Sequence, residues 1–125
     1  MAEDPTALAT AVIEAINSRE PGRLEPLLAP GVEVVTGRNV HAGAEAVVAW
    51  AGKRFDHLVR RYAIDELRIG GDGILALGAV QYVWADGGEV ADSTPIALEL
   101  VFDGSLLRLL RLFDDVAAAV GSVSD

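Results

Sequence analysis

The chain has no cysteine. Disulfide frameworks and thiolate chemistry are excluded, and small secreted scaffolds that depend on cross-links are disfavoured. Basic residues are scarce too: ten Lys and Arg stand against nineteen Asp and Glu, a formal net charge of −9. Nucleic acids and anionic membranes are polyanions that call for clustered cations. Here the cations come in scattered pairs such as Arg60-Arg61, so neither is expected as a partner. No apolar run approaches the roughly 20 residues that cross a bilayer. The opening Met1-Ala2-Glu3-Asp4-Pro5 lacks the basic start and apolar stretch of a signal peptide, and the expected location is cytoplasmic. The two histidines, His41 and His57, have no companion at metal-ligand spacing, so no metal or cofactor is expected. Gly70-Gly71-Asp72-Gly73 reads as a hairpin turn, not as a phosphate-cradling strand-to-helix loop.

What is abundant is apolar surface, 51% of 125 residues, enough for one domain with one core. The domain takes in residues 1–125, with a core over about 5–118 and a loose tail at 119–125. Asp4-Pro5 suits a helix start, and Leu8, Val12, Ala15 and Ile16 follow at helical spacing. Glu20-Pro21-Gly22 stops that helix. A short second helix is expected to carry Leu24, Leu27 and Leu28 inward, with Pro26 in its first turn. Residues 32–36 read as a strand, 37–41 as a loop or ribbon, and 44–55 as a third helix with Val47, Trp50, Ala51 and Phe55 on its apolar face.

Strands follow. The alternation over 59–69 slips parity between Ile64 and Leu67, as a bulge near Asp65-Glu66 would cause. Residues 74–84 are apolar on both faces except at Gln81. Asp86-Gly87-Gly88 and Asp103-Gly104 are further turns, the second between two long apolar runs, which is a strong hairpin signal. Pro95 marks an edge, bend or bulge. Residues 116–120 read as one helical turn. Helices first and a four-strand meander afterwards specify an α+β fold, with three helices on one face of a curved antiparallel sheet. The apolar second face predicts a two-fold homodimer through the outside of the sheet.

The element order, the His41-Ala42-Gly43 lead into the third helix and the ending Asp103-Gly104 to Leu112-Phe113-Asp114 resemble the nuclear-transport-factor-2-like superfamily, in particular its SnoaL-like polyketide-cyclase branch. The resemblance covers about residues 5–118. It implies a cone-shaped half-barrel with a deep pocket between helices and sheet, and members that include isomerases, cyclases, epoxide hydrolases, dehydratases and non-catalytic binding domains. The carry-over of catalytic residues is thin. The general-base Asp of ketosteroid isomerases falls on Thr36, and the acid of their oxyanion hole falls near Leu98, with Glu99 on the opposite face. The Arg-x-Asp of epoxide-hydrolase-like members is replaced by Gly78-Ala79-Val80-Gln81-Tyr82. Asp114 resembles their last Asp.

The candidate residues each have a bland alternative. Asp114 is the candidate general base, or else it caps a short helix. His41 is the candidate acid or base, histidine being the side chain that titrates near neutrality, or else it fixes the turn before the third helix. Gln81, a lone amide in an apolar strand, holds a ligand oxygen or bonds a neighbouring side chain. Trp50, Tyr62 and Phe113 are the aromatic candidates for the pocket wall, against the alternative of plain core. His57 stabilises a helix end. Arg60, Arg61, Arg108 and Arg111 read as solvated or paired with carboxylates. The expected function is a pocket for a small apolar organic molecule without a recognisable complete catalytic set. The alternative is an acid–base enzyme on a polyketide-, steroid- or terpenoid-like substrate.

Overall fold

Helix α1 (Pro5–Ser18) buries Ala9, Val12, Ile13 and Ile16, spaced three or four apart, while Glu14 is exposed. It ends where Arg19 takes a left-handed φ of 59°. The Ser18 hydroxyl donates to the Ala15 carbonyl (2.6 Å). The Arg19 guanidinium donates to the Gly52 carbonyl (3.0 Å), placing a cation at the C-terminal end of the helix before it. These coordinates come from a computed structural model that describes residues 5–37, 39–52, 57–70 and 73–113.

The second helix shrinks to a single turn, α2 (Pro21–Leu24), followed by a 3-10 turn at Glu25–Leu27. Pro26 explains this, because it has no N–H to offer an α-helical ladder and suits only a first turn. Leu24 and Leu28 are buried as expected, but Leu28 already belongs to strand β1 (Leu28–Thr36). Strand β2 (Asn39–Ala42) and helix α3 (Ala44–Ala51) follow, the helix burying Val47, Trp50 and Ala51. Residues 53–56, with Phe55, lie outside the described residues, as do Asp114 and the stretches at 116–120 and 121–125.

Strands β3 (Leu58–Gly70), β4 (Gly73–Trp84), β5 (Val90–Asp103) and β6 (Leu106–Phe113) form the antiparallel meander marked by the three turns. Gly104 takes a positive φ of 63° in the last of them. The expectation of a wholly antiparallel sheet is corrected. The order is β2-β1-β6-β5-β4-β3, and β1 runs parallel to β6, so the six-stranded sheet is mixed. A parallel pair needs a long crossover, and everything between β1 and β6 supplies it. Register slips between Ile64 and Glu66, leaving Asp65 as the bulged residue. Opposite this slip, a Cβ on Gly78 would run into the Ala63 carbonyl oxygen and lie 2.8 Å from the Ile64 Cα. Only glycine allows β3 and β4 to approach so closely. Pro95 sits where β5 has β4 on one side and, among the described residues, no pairing with β6, which begins at Ala97.

The sheet is open and curved, an α+β arrangement. One face packs Tyr62, Ile74, Ala76, Leu98, Leu100 and Leu110 against Val12, Ile16, Val47 and Trp50 of the helices. The other carries a smaller cluster of Leu75, Ala97, Leu77 and Phe113.

Candidate functional site

Strands β1 to β6 and helix α3 all contribute to one hollow of about 350 Å³ on the helix-bearing side of the sheet. That volume is within the roughly 300–1,000 Å³ of small-molecule sites. Strand β3 supplies Arg60 and Tyr62, and β4 supplies Val80 and Tyr82. They stand opposite one another in register, Arg60 to Tyr82 and Tyr62 to Val80. Ile96 and Leu112 add apolar wall, Thr36 and Asn39 polar groups, and His41 and Trp50 rings. All these β3 and β4 positions share one parity, because side chains of a strand alternate between faces.

The rings form a column. His41 and Trp50 lie 6.2 Å apart between centroids, Trp50 and Tyr62 6.3 Å, both tilted, within the range of favourable aromatic pairs. The Arg60 guanidinium carbon lies 4.6 Å from the Trp50 ring centroid and 5.8 Å from that of Tyr62. Its Nη2 donates to the Trp50 carbonyl at 2.8 Å.

Tyr62 is held by α1. Its N–H donates to Asn17 Oδ1 (2.8 Å), and Asn17 Nδ2 donates to its carbonyl (2.9 Å). One side chain thereby satisfies both backbone groups of a residue on β3. The Tyr62 hydroxyl is buried and, among the described residues, has no hydrogen-bond partner. Burial pushes its pKa up to about 12, against the opposing pull of the Arg60 guanidinium. The phenol is a neutral hydroxyl at any physiological pH.

Of the residues singled out in the sequence, His41, Trp50 and Tyr62 come together in this wall. Gln81 and Phe113 do not. Val80 and Tyr82 face the hollow, so the pleat turns Gln81 away, where its Oε1 accepts from Arg61 Nε (3.2 Å) and Nη2 (2.6 Å). Leu112 faces the hollow, and Phe113 packs against the cluster on the far side. Asp114 lies outside the described residues. His57 is exposed, and its carbonyl accepts from the Ala85 N–H at 2.8 Å. Arg60, expected from the sequence to be solvated or paired with a carboxylate, shares the parity of Tyr62 and lines the hollow. Thr36 does line the hollow, Leu98 is buried on that side, and Glu99 lies on the other face, 3.8 Å from Arg111. Among the described residues the wall holds no carboxylate, and no group of His, Asp or Glu could hold a metal ion.

A larger hollow of about 490 Å³ lies between α1 and β3, lined by Thr10, Glu14, Asn17, Asp65 and Glu66 over Ile13, Tyr62, Ile64 and Leu67. Its carboxylates are exposed and Glu66 is bonded to Arg68. Because it shares only Tyr62 of the ring column and its acids are solvated, the smaller hollow, with His41, Trp50 and Tyr62 together, is the better candidate.

No protein-family model matches the sequence, and no curated protein matches it. Solved structures do resemble it. An NTF2-like protein of unknown function from Burkholderia pseudomallei superposes with a TM-score of 0.73 over 98% of this chain and 99% of its own, at 18% identity. A protein of ketosteroid isomerase-like fold from Catenulispora acidiphila, solved in complex with trimethylamine, gives 0.74 over 96% and 94%, at 15% identity. A protein from a Jannaschia species, named for its likeness to SnoaL-like polyketide cyclases, gives 0.71 over 99% and 97%, at 13% identity. The chain therefore has the NTF2-like fold of the SnoaL-like and ketosteroid isomerase-like proteins.

Proposed function

We propose that the hollow beside Trp50 and Tyr62 holds a small, mostly apolar organic molecule bearing an oxygen acceptor. The observation that carries this reading is the buried Tyr62 hydroxyl without a partner. A buried donor left unpaired costs about 1–3 kcal/mol, and a ligand carbonyl or hydroxyl that reached it would remove that cost. Val80, Ile96, Leu112 and the rings offer the apolar remainder of the ligand its contact surface. Fold likeness supports a pocket here but names no chemistry.

The test is binding of a neutral aryl ketone such as 2-acetylnaphthalene, followed by Trp50 fluorescence and calorimetry. Saturable one-to-one binding is expected, weakened roughly fivefold in Tyr62→Phe, the worth of about one hydrogen bond. Absence of binding to the unaltered protein refutes the reading. A second, catalytic reading is favoured by one observation, that His41 shares the wall with the rings. It requires a reaction whose rate collapses in His41→Gln while ketone binding persists.

A further inference from the structure

The ring pair Trp50 and Tyr62 has the makings of a cation site. Aromatic faces attract cations placed within about 6 Å of the ring centroid, and quaternary ammonium groups are often recognised this way. In this protein the position is taken by a side chain of the chain itself. The Arg60 guanidinium carbon is 4.6 Å from the Trp50 centroid and 5.8 Å from that of Tyr62, and its Nη2 is tethered to the Trp50 carbonyl at 2.8 Å. Strand pairing holds it there from beneath, with Arg60 opposite Tyr82 in the β3–β4 ladder.

From this arrangement we infer that Arg60 is a specificity-determining residue: it fills the aromatic cation position of the pocket and so selects against ammonium ligands. The inference rests on the reading of this hollow as a ligand pocket and adds its charge selectivity. Two effects act together. The guanidinium occupies the volume above Trp50 that an ammonium would need. It also places a like charge at that spot, so an incoming cation meets repulsion where the rings alone would attract it. A neutral ligand carrying an oxygen acceptor meets neither obstacle.

The test uses tetramethylammonium as probe and reads the upfield ring-current shift of its methyl protons by NMR. It is applied to the full chain and to Arg60→Met, Arg60→Gln and Arg60→Lys. The unaltered protein and Arg60→Lys are expected to leave the probe's resonance in place. Arg60→Met and Arg60→Gln are expected to shift it and to bind it at least about tenfold more tightly. Circular dichroism confirms which variants are folded, and either neutral variant suffices. Binding of the probe to the unaltered protein as tightly as to a neutral variant overturns the inference, and that outcome needs no variant beyond the one that folds. So does a folded neutral variant that fails to bind it. 2-Acetylnaphthalene separates the two levels. If the unaltered protein takes the ketone and the neutral variants refuse the ammonium, the pocket stands and the selectivity assigned to Arg60 falls. If the ketone is refused as well, both fall.

Discussion

Tyr62 keeps its proton far into the alkaline range because its phenol is buried, and a phenolate there would be stripped of water. The sign of the consequence follows from the two states. In the unfolded chain the phenol ionises near its ordinary pKa of 10.0, whereas in the native chain it does so near 12. Below pH 10 both states are protonated and the stability is fully present. Above it the unfolded state gains by ionising, and stability is lost as pH rises through about 12, on the order of 2–3 kcal/mol. Urea midpoints measured between pH 9 and 12 are expected to fall more steeply for the unaltered protein than for Tyr62→Phe. Parallel curves would mean that the hydroxyl is solvated. At this scale part of the site was legible. Trp50 and Tyr62 stood out because large rings at inward positions are few. Of the two readings open for Gln81 the structure takes the neighbouring side chain, Arg61, and Phe113 falls on the far side, because a lone strand does not announce which parity faces the helices. Only the register with Val80 and Leu112 settles that. Arg60 was passed over because an Arg-Arg pair reads as a solvated edge, yet one step in a pleat separates a solvated Arg61 from an Arg60 stacked on rings.

Among the elements, the β3–β4 hairpin shapes the hollow, and its bend depends on one residue without a side chain. Gly78 lies opposite the register slip at Asp65, where a Cβ would meet the Ala63 carbonyl and the Ile64 backbone. A backbone obstacle cannot rotate away as a flexible side chain could. Gly78→Ala is therefore expected to destabilise the fold by about 2–3 kcal/mol through overpacking. Gly31→Ala, with nothing within 4 Å of the added atom, should be neutral or slightly stabilising. Equal melting temperatures for the two variants would show that the strands can part without cost. The bulge itself was readable, since the slip from Tyr62 and Ile64 to Leu67 and Ile69 is a local pattern. So were the turns at Asp86-Gly87-Gly88 and Asp103-Gly104, where Gly87, Gly88 and Gly104 supply the positive φ. The parallel pairing of β1 with β6 had no such signal. It joins segments separated by the whole meander, and nothing within either strand specifies a neighbour that distant. The second helix is present but shortened, for a local reason: Pro26 suits only a first turn, and α2 with its 3-10 extension is what that permits.

For the molecule as a whole, the outer face of the sheet poses a question of charge. The chain carries a formal −9, so two copies approaching at random repel. The face around Leu75, Leu77, Ala97 and Phe113 is different. At its centre Leu75 and Ala97 are already buried within the single chain, Leu77 and Phe113 are half-buried beside them, and its flanks mix signs, with Arg61, Arg68 and Arg111 beside Glu66 and Glu99. A two-fold axis through such a face would set each patch against its own copy, where balanced charges can find partners instead of adding repulsion. We propose a second copy of the chain as its occupant. Sedimentation at micromolar concentration is expected to give a particle of twice the 13.1 kDa chain mass. Leu77→Arg adds a cation at the centre of the patch and is expected to halve that mass while leaving circular dichroism intact. High salt should not dissociate the dimer, since an apolar centre is insensitive to screening and the mixed-sign rim contributes little. A single-chain mass for the unaltered protein removes the proposal. It would leave Leu75 and Ala97, with Leu77 and Phe113 packed on them, as a minor second core.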